Sequence, residues 1–422
     1  MALLSFPRLF FYLCWCSCQR LAMPPRLSYD DPMKEHAPGR SGTARCYLDW
    51  AATAMPDYAA AGQAIYGNPS SLHAEGRLAR EALESARARC AAVLGVPPQT
   101  LYFTSGGTES NALVLHSLLR RPRKGRLLYT EAEHASVREN CFVLERLGMP
   151  SSAIGVEKDG RVSAEAFGRA LEKHGDARFA ALMGVNNETG AATDIPGLVS
   201  RLRAHQAQAE RPVHFHSDLV QALGKVPVGI TAWDVDSASF SAHKLGGPRG
   251  AGLLYLKKPL EPLYAGGKQE KGIRPGTENI QGALALADIL ERRANPEAAA
   301  LEGEKAGARF KYLIGKLKKI SRCTLIPEDR EDEDARFSPW ILQARFKGVP
   351  GEVMVRALDD AGIAISTGSA CSSSSRQRPV LAAMGLPESS SLEGVRISQG
   401  WSTGMADMDT LLSGIEKVLS FL

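Results

Sequence analysis

The chain has 422 residues, of which 44% are hydrophobic, and a formal net charge of +5. That length and apolar content are enough for at least two domains with real cores, and a small positive balance spread along the chain gives no footprint for direct nucleic-acid binding. Of the eight cysteines, Cys14, Cys16 and Cys18 cluster and the others are scattered without a CxxC pair; this argues against a zinc or disulfide framework, so no metal is expected, and fits a reducing, cytoplasmic compartment.

Residues 1–44 read as an N-terminal extension unlike the rest. FPRLFFYLCWC is apolar but too short to span a bilayer, and no acid precedes Asp30. Three interpretations stay open: an overlong start with translation from Met23 or Met33, an organellar presequence, or an export signal. No later stretch is long and apolar enough for a membrane helix, so no membrane partner is expected.

From Tyr47 onward short apolar runs alternate with longer amphipathic ones. RLAREALESARARCAAVLGV has helical spacing and a stop at Gly95. LYFTSGG predicts a strand entering a turn, and TESNALVLHSLL the helix after it. RLLYTEAEH, FAALMGVNNE and PVHFHSDLV predict further strands. Another is expected from Ala232 to Phe240, and GAGLLYLKK follows as the next. This alternation predicts an α/β domain with a largely parallel sheet over residues 57–296. Near Asn295 the style changes. A charged helix, EGEKAGARFKYLIGKLKKI, leads to the acidic run EDREDEDAR, expected to be a solvated loop. PWILQARFKG and a last helix, TLLSGIEKVLSFL, complete the chain. Residues 297–422, joined by 45–56, are expected to form a smaller α+β domain.

Four features are ambiguous one at a time. TSGGTESN could hold a phosphate on its backbone N–H groups and helix N-terminus, or be a plain tight turn. His134 follows a strand end, where a lone histidine is usually just a satisfied polar residue. Asp218 ends an apolar strand as a cap or as the partner of a cationic ring nitrogen. Lys244 lies in a glycine-flanked turn after a strand, where a buried ammonium is costly unless something uses it. In order, these four match the needs of pyridoxal 5'-phosphate (PLP): an anion cradle, a group over the ring face, an acid for the pyridinium nitrogen and an amine. The amine must also lose its proton, which a desolvated site near other cations favours.

YLDWAAT, GNPSSLH, FTSGGTESNAL, EHASV, VNNETG, HSDLVQALGK, SAHKLGGPRG, RPGTENI, STGSACSSSS and VRISQG occur in that order. In this the chain, from Tyr47 to about Leu422, resembles the group I cysteine desulfurases, class V enzymes of the PLP-dependent transferase fold type I (aspartate aminotransferase-like). The resemblance implies that Lys244 carries the cofactor covalently, that Asp218 pairs with its ring nitrogen, that Gln221 bonds its phenolic oxygen and that His134 stacks on its ring. Gly107, Thr108, Ser241 and His243 would bind phosphate, joined by Thr277 from the second subunit of a homodimer. Asn187 and Arg396 would hold the carboxylate of L-cysteine, a planar task that suits arginine. Cys371, in a Ser/Gly-rich run that by itself reads as a linker, would be the nucleophile that carries sulfur away as a persulfide, which requires a thiolate.

The acceptor implied is a protein of iron–sulfur cluster assembly or tRNA thiolation. Trp50 and Ala54 depart from the family pattern and are expected to alter the entrance to the site. A C-terminal tail found in long group I enzymes is lacking, which puts the scaffold partner in question. Two other functions stay open: a selenocysteine lyase or class V aminotransferase, and a catalytically silent sulfur-carrier or assembly protein. Intact Lys244, Asp218, His134 and Arg396 argue against the silent one.

Overall fold

The computed structural model describes residues 45–57, 65–120, 125–208, 212–263, 265–368 and 378–421. A short strand, β1 (Cys46–Tyr47), comes first. Seven more, β2 (Leu101–Thr104), β3 (Arg126–Thr130), β4 (Ser151–Ile154), β5 (Ala177–Ala181), β6 (His214–Asp218), β7 (Ser237–Ser241) and β8 (Gly252–Leu256), build one sheet in the order β2-β8-β7-β6-β5-β3-β4. β8 runs antiparallel to both of its neighbours and every other pair is parallel. The central strands are buried on both faces, which explains why they read as apolar or small runs rather than as alternating ones.

Helices α1 (Ala74–Leu94), α2 (Gly107–Ser117), α3 (Ala135–Arg146), α4 (Ala164–Lys173) and α5 (Ile195–Gln208) connect and cover these strands. α1 ends where expected: Gly95 has φ 63°, and its N–H reaches back to the carbonyls of Ala91 and Ala92. The strand expected from Ala232 begins later. A one-turn helix, α6 (Ile230–Trp233), is followed by Asp234 at φ 58°, a left-handed residue that turns the chain, and β7 starts only at Ser237.

After α7 (Ile280–Arg293) and α8 (Pro296–Leu317), a three-stranded antiparallel sheet forms from β9 (Cys323–Ile326), β10 (Ile341–Phe346) and β12 (Gly394–Ser398), with β10 in the middle. β11 (Ile363–Ala364), which follows α9 (Gly351–Asp360), pairs in parallel with β1. A second apolar cluster, including Leu48, Phe310, Leu342, Phe346 and Ile415, fills the space between these strands, α8 and the last helix, Met405–Phe421. The acidic run needs a correction. Glu331, Asp332 and Glu333 are exposed, but Arg330 is only 3% exposed, donates to the carbonyls of Thr189 and Ile341, and lies over the Phe337 ring. A guanidinium with carbonyl acceptors and an aromatic face can be buried, so this loop is pinned at its centre.

The loop before α7 is pinned more firmly. Glu270 and Lys271 have φ of 45° and 56°, an uncommon conformation for non-glycine residues. The Glu270 carboxylate takes both Arg87 Nη atoms at 2.8 Å and the N–H of Phe103 at 2.8 Å, with the pair almost fully buried. Removing one partner strands a buried charge. Arg87→Met is therefore expected to lower stability by about 3–5 kcal/mol in urea denaturation, and Glu270→Gln added to it to recover most of the loss.

Candidate active site

The polar residues of interest leave the carboxyl ends of the parallel strands, where open α/β sheets place their ligand sites. From β2 the chain turns through Gly106, at φ 148°, into the amino end of α2. A Cβ on Gly107 would lie 2.6 Å from Val220 Cγ2, so only glycine lets this helix start so close to the residues after β6. The result is a set of helix N–H groups facing the Ser241 hydroxyl, which is itself hydrogen-bonded to His243 Nδ1 at 2.8 Å. Burial lowers the His243 pKa to about 4, helped by the charges of Lys244, Lys225 and Arg249, so its ring is neutral.

β6 delivers Asp218, 5% exposed. Its Oδ2 accepts from Asn111 Nδ2 at 2.8 Å and its Oδ1 from the Val220 N–H at 3.0 Å. Asn111 also donates to the Ser136 hydroxyl and shares a hydrogen bond with buried His216. His134 caps α3: its Nδ1 accepts the Ser136 N–H, which leaves the ring proton of the neutral form on Nε2. Burial lowers the His134 pKa, with Asp218 opposing and Lys244 and Arg138 reinforcing, so the neutral form prevails.

β7 passes into a single 3-10 turn that ends at Lys244. Lys244 Nζ donates to the carbonyls of Ala51 and Ala52 at 2.8 and 2.7 Å. Gln221 Nε2 donates to the same Ala51 carbonyl at 2.9 Å, and Gln221 Oε1 accepts from Lys225 Nζ at 2.6 Å. From β12, Arg396 is 2% exposed; Nη2 pairs with Asp49 at 2.8 Å, and Nη1 donates to the carbonyls of Asn187 and Gly368. Arg396 Nε is buried with no partner among the described residues, as are Oε2 of Glu133, Oε2 of Glu188 and the amide of Gln343.

A cavity of about 560 Å³ brings these groups together. Ten of the expected residues line it: Gly107, Thr108, His134, Asn187, Asp218, Gln221, Ser241, His243, Lys244 and Arg396. Thr277 does not; it is exposed in the loop before α7. Cys371 lies outside the described residues. The expectation for Trp50 and Ala54 is corrected. Trp50 is 3% exposed, packs edge-on against Trp401 and donates Nε1 to the Tyr47 carbonyl, while Ala54 is 2% exposed. The indole is used as core, and Gly400 makes room for it, since a Cβ there would fall 1.9 Å from the ring. Ala51 and Ala52, between them, line the cavity instead.

Sequence reasoning passed over Asn111, Glu133, Glu188 and Lys225. Each stands inside a quoted motif, but only burial reveals that each is a polar group without water. Among the described residues no helix is long and apolar enough to cross a membrane, and no group of three or more His, Cys, Asp or Glu is arranged to hold a metal.

A mostly parallel sheet covered by helices, with its polar cavity at the strand ends, defines a fold type I PLP-dependent enzyme class. Residues 46–411 match the aminotransferase class-V family, and the chain belongs to it. It is 38% identical over 392 residues to a NifS/IcsS protein homolog of Lactobacillus delbrueckii subsp. bulgaricus, covering 88% of this chain and 96% of that one. With the putative cysteine desulfurase IscS 1 of Bacillus subtilis it shares 35% identity, covering 90% and 99%. Among solved structures, a NifS-like protein superposes with a TM-score of 0.79 at 30% identity, over 90% of this chain and 100% of that one. SspA in complex with cysteine does so at 0.70 and 27% identity, over 84% and 98%.

Glu133 offers a test of the site's electrostatics. Burial, reinforced by the Asp218 charge, pushes its pKa up to about 8, although the Met183 N–H and Thr130 hydroxyl donate to it. Between the unfolded value near 4.5 and about 8 the native protein holds a proton that the unfolded chain lacks, so this group's contribution is full below pH 4.5 and is lost as pH rises to 8. Glu133→Gln copies the protonated form. Relative to wild type its stability in urea should rise from pH 5 to about pH 8 and level off above that; a constant difference from pH 5 to pH 8 would refute the raised pKa.

Proposed function

We infer that the chain is a PLP-dependent cysteine desulfurase, in which L-cysteine and a protein thiol give L-alanine and a persulfide. The observation that carries this is the single cavity uniting Lys244, Asp218, His134 and the amino end of α2 in a chain so similar to named desulfurases. The donor set fits PLP: helix N–H groups and Ser241 for a phosphate, a carboxylate with both oxygens oriented, an amine, and a neutral histidine ring. When bound, PLP supplies an aldehyde carbon for an amine and a protonated ring that takes up electron density from the substrate's Cα.

Asp218, steered by Asn111 and the Val220 N–H, keeps the ring nitrogen's proton in place. Gln221 would bond the cofactor's phenolic oxygen, Gly107, Thr108, Ser241 and His243 would hold its phosphate, and His134 would cover its ring and move a proton through Nε2. Lys244 would carry the cofactor and take the proton from the substrate's Cα, and the Ala51 and Ala52 carbonyls, to which its Nζ donates, offer its ammonium a place to rest. Arg396, whose buried Nε is still unpartnered among the described residues, binds the substrate carboxylate with Asn187.

The thiolate of Cys371 then attacks the substrate sulfur. An S–S bond forms, the carbon–sulfur bond breaks, and alanine leaves without any external oxidant. The four described cysteines suit this step poorly: burial raises the pKa of Cys46, Cys90 and Cys323 to about 12 and that of Cys141 further, and none lines the cavity. Sulfur passes to an acceptor protein of iron–sulfur assembly or tRNA thiolation, in a reducing, cytoplasmic compartment that suits thiol chemistry. Residues 57–296 act as the cofactor-binding domain, and 45–56 with 297–422 as the smaller one; the smaller part has an apolar cluster of its own, while its Ala51, Ala306, Trp340 and Ile341 pack into the larger core. Thr277, exposed on its own subunit, serves the phosphate of the second subunit in a homodimer.

Alanine release and protein-bound sulfur test the assignment. Cys371→Ser should still bind PLP and cysteine but lose turnover by on the order of 10³-fold or more; alanine release at the wild-type rate would remove Cys371 from the mechanism. Lys244→Ala should lose turnover as well, and borohydride reduction of wild type should place the pyridoxyl group on Lys244.

The shared site has its own test. Thr277→Glu and Lys244→Ala homodimers should each be inactive. Their co-purified heterodimer has one undamaged site and should recover toward half of wild-type activity. A heterodimer as inactive as its parents would show that Thr277 serves no partner.

A further inference from the structure

One buried cation has no part in the scheme above. Lys225 is 4% exposed, and its Nζ donates to Gln221 Oε1 at 2.6 Å. Its backbone carbonyl accepts the indole N–H of the fully buried Trp340 at 2.9 Å, which fixes the main chain there. From Nζ a run of three hydrogen bonds leads to Lys244: Lys225 to the Gln221 amide, that amide to the Ala51 carbonyl at 2.9 Å, and the same carbonyl to Lys244 Nζ at 2.8 Å.

The chemistry of this run is directional. An amide side chain can face either way, with its oxygen or its nitrogen toward a given neighbour. An ammonium has three donors and no acceptor, so the end of Gln221 that meets Lys225 must be the oxygen. The NH2 end then faces Ala51. One of its hydrogens goes to that carbonyl, and the other is left for the cavity that Gln221 lines. Without the lysine the amide could turn over and offer the cavity an acceptor.

We propose that Lys225 is a positioning residue of the desulfurase reaction: through the Gln221 amide it presents a hydrogen-bond donor to the phenolic oxygen of bound PLP, and so lowers the proton affinity of the link between Lys244 and the cofactor. The proposal rests on the assignments of Lys244 and Gln221 made above. The control is strongest on the acid side: burial lowers the Lys225 pKa to about 7, with the charges of Lys244 and Arg396 pushing the same way, so the donor-only ammonium gives way to an amine that can donate or accept as pH rises through that value. Across the Lys244 turn, His243 is lowered in part by Lys225. The nearby carboxylates are engaged elsewhere, Asp49 with Arg396 and Asp218 with Asn111 and the Val220 N–H. A lysine buried among cations with an amide oxygen as its partner is costly to the fold, which speaks for a use.

The test follows the visible absorbance of the PLP-loaded protein through a pH titration, with no turnover involved. Lys225→Met should keep PLP and raise the titration midpoint by about one pH unit, a tenfold change in proton affinity. Gln221→Leu should raise it too, and the double variant should match Gln221→Leu alone, because the lysine acts through the amide. An unmoved midpoint in Lys225→Met, or shifts that simply add in the double variant, would overturn the proposal. A lysine that only holds the fold together would lower the urea midpoint and leave the absorbance titration where it was. If the methionine variant does not fold, Lys225→Leu, which likewise offers no donor, takes its place with the same criterion. A wild-type protein that takes up PLP on another lysine, or not at all, would sink the assignment of Lys244 and this inference with it; PLP on Lys244 with an unmoved midpoint sinks the inference only.

Discussion

The Ala51 carbonyl is the point on which the site turns. It accepts from both Lys244 and Gln221, so it joins the turn after β7 to the residues after β6. The segment that presents it belongs to the other sheet. The Leu48 N–H bonds to Ala364, the Ala51 N–H to the Ser398 hydroxyl, and the Ser398 N–H to Leu48. On its far side the Ala54 N–H reaches the His243 carbonyl. Residues 48–54 thus tie β11 and β12 to the lysine turn, mostly by main-chain bonds that do not depend on side-chain identity and in one place through the Ser398 hydroxyl. That explains why two plain alanines stand at the centre of a polar cavity: the carbonyls do the binding, and small side chains leave room beside them.

The same segment decides where Trp50 can go. With the carbonyls of Ala51 and Ala52 turned toward Lys244, the side chain before them is directed into the core, among Tyr47, Trp401 and the bare face of Gly400. A large aromatic ring gains more from burial there than from partial exposure at a cavity mouth. Its departure from the family pattern within YLDWAAT suggested a role in access, but a residue type at a motif position says nothing of which way its side chain faces.

Much of the architecture was legible because it is written in local patterns. The strands and helices around Gly95, Gly107 and Asp218 were marked by apolar runs, glycine stops and strand-end polar residues. The start of β7 was misplaced because Ile230–Trp233 are as apolar as a strand, and nothing in them shows that Asp234 takes a left-handed turn. Arg330 was hidden by its acidic neighbours, since its burial depends on the carbonyl of Thr189, far along the chain, together with that of Ile341. Asn111, Glu133 and Lys225 were invisible for the same reason. Their meaning lies in what surrounds them, and a sequence gives residue type but not desolvation.

Desolvation also sorts the acids and bases of the cavity into different tasks. Asp218 has donors on both oxygens, as suits a carboxylate that must stay oriented toward a cation. Glu133, a residue away from His134, has one oxygen unpartnered among the described residues and is protonated at neutral pH. On the basic side, His134 and His243 are neutral, and Lys225 is poised near neutrality. A cavity with this distribution sets the Asp218 carboxylate and the Arg396 guanidinium among neighbours that burial shifts toward their neutral forms, so the field a bound substrate meets is shaped by a few oriented groups rather than by many.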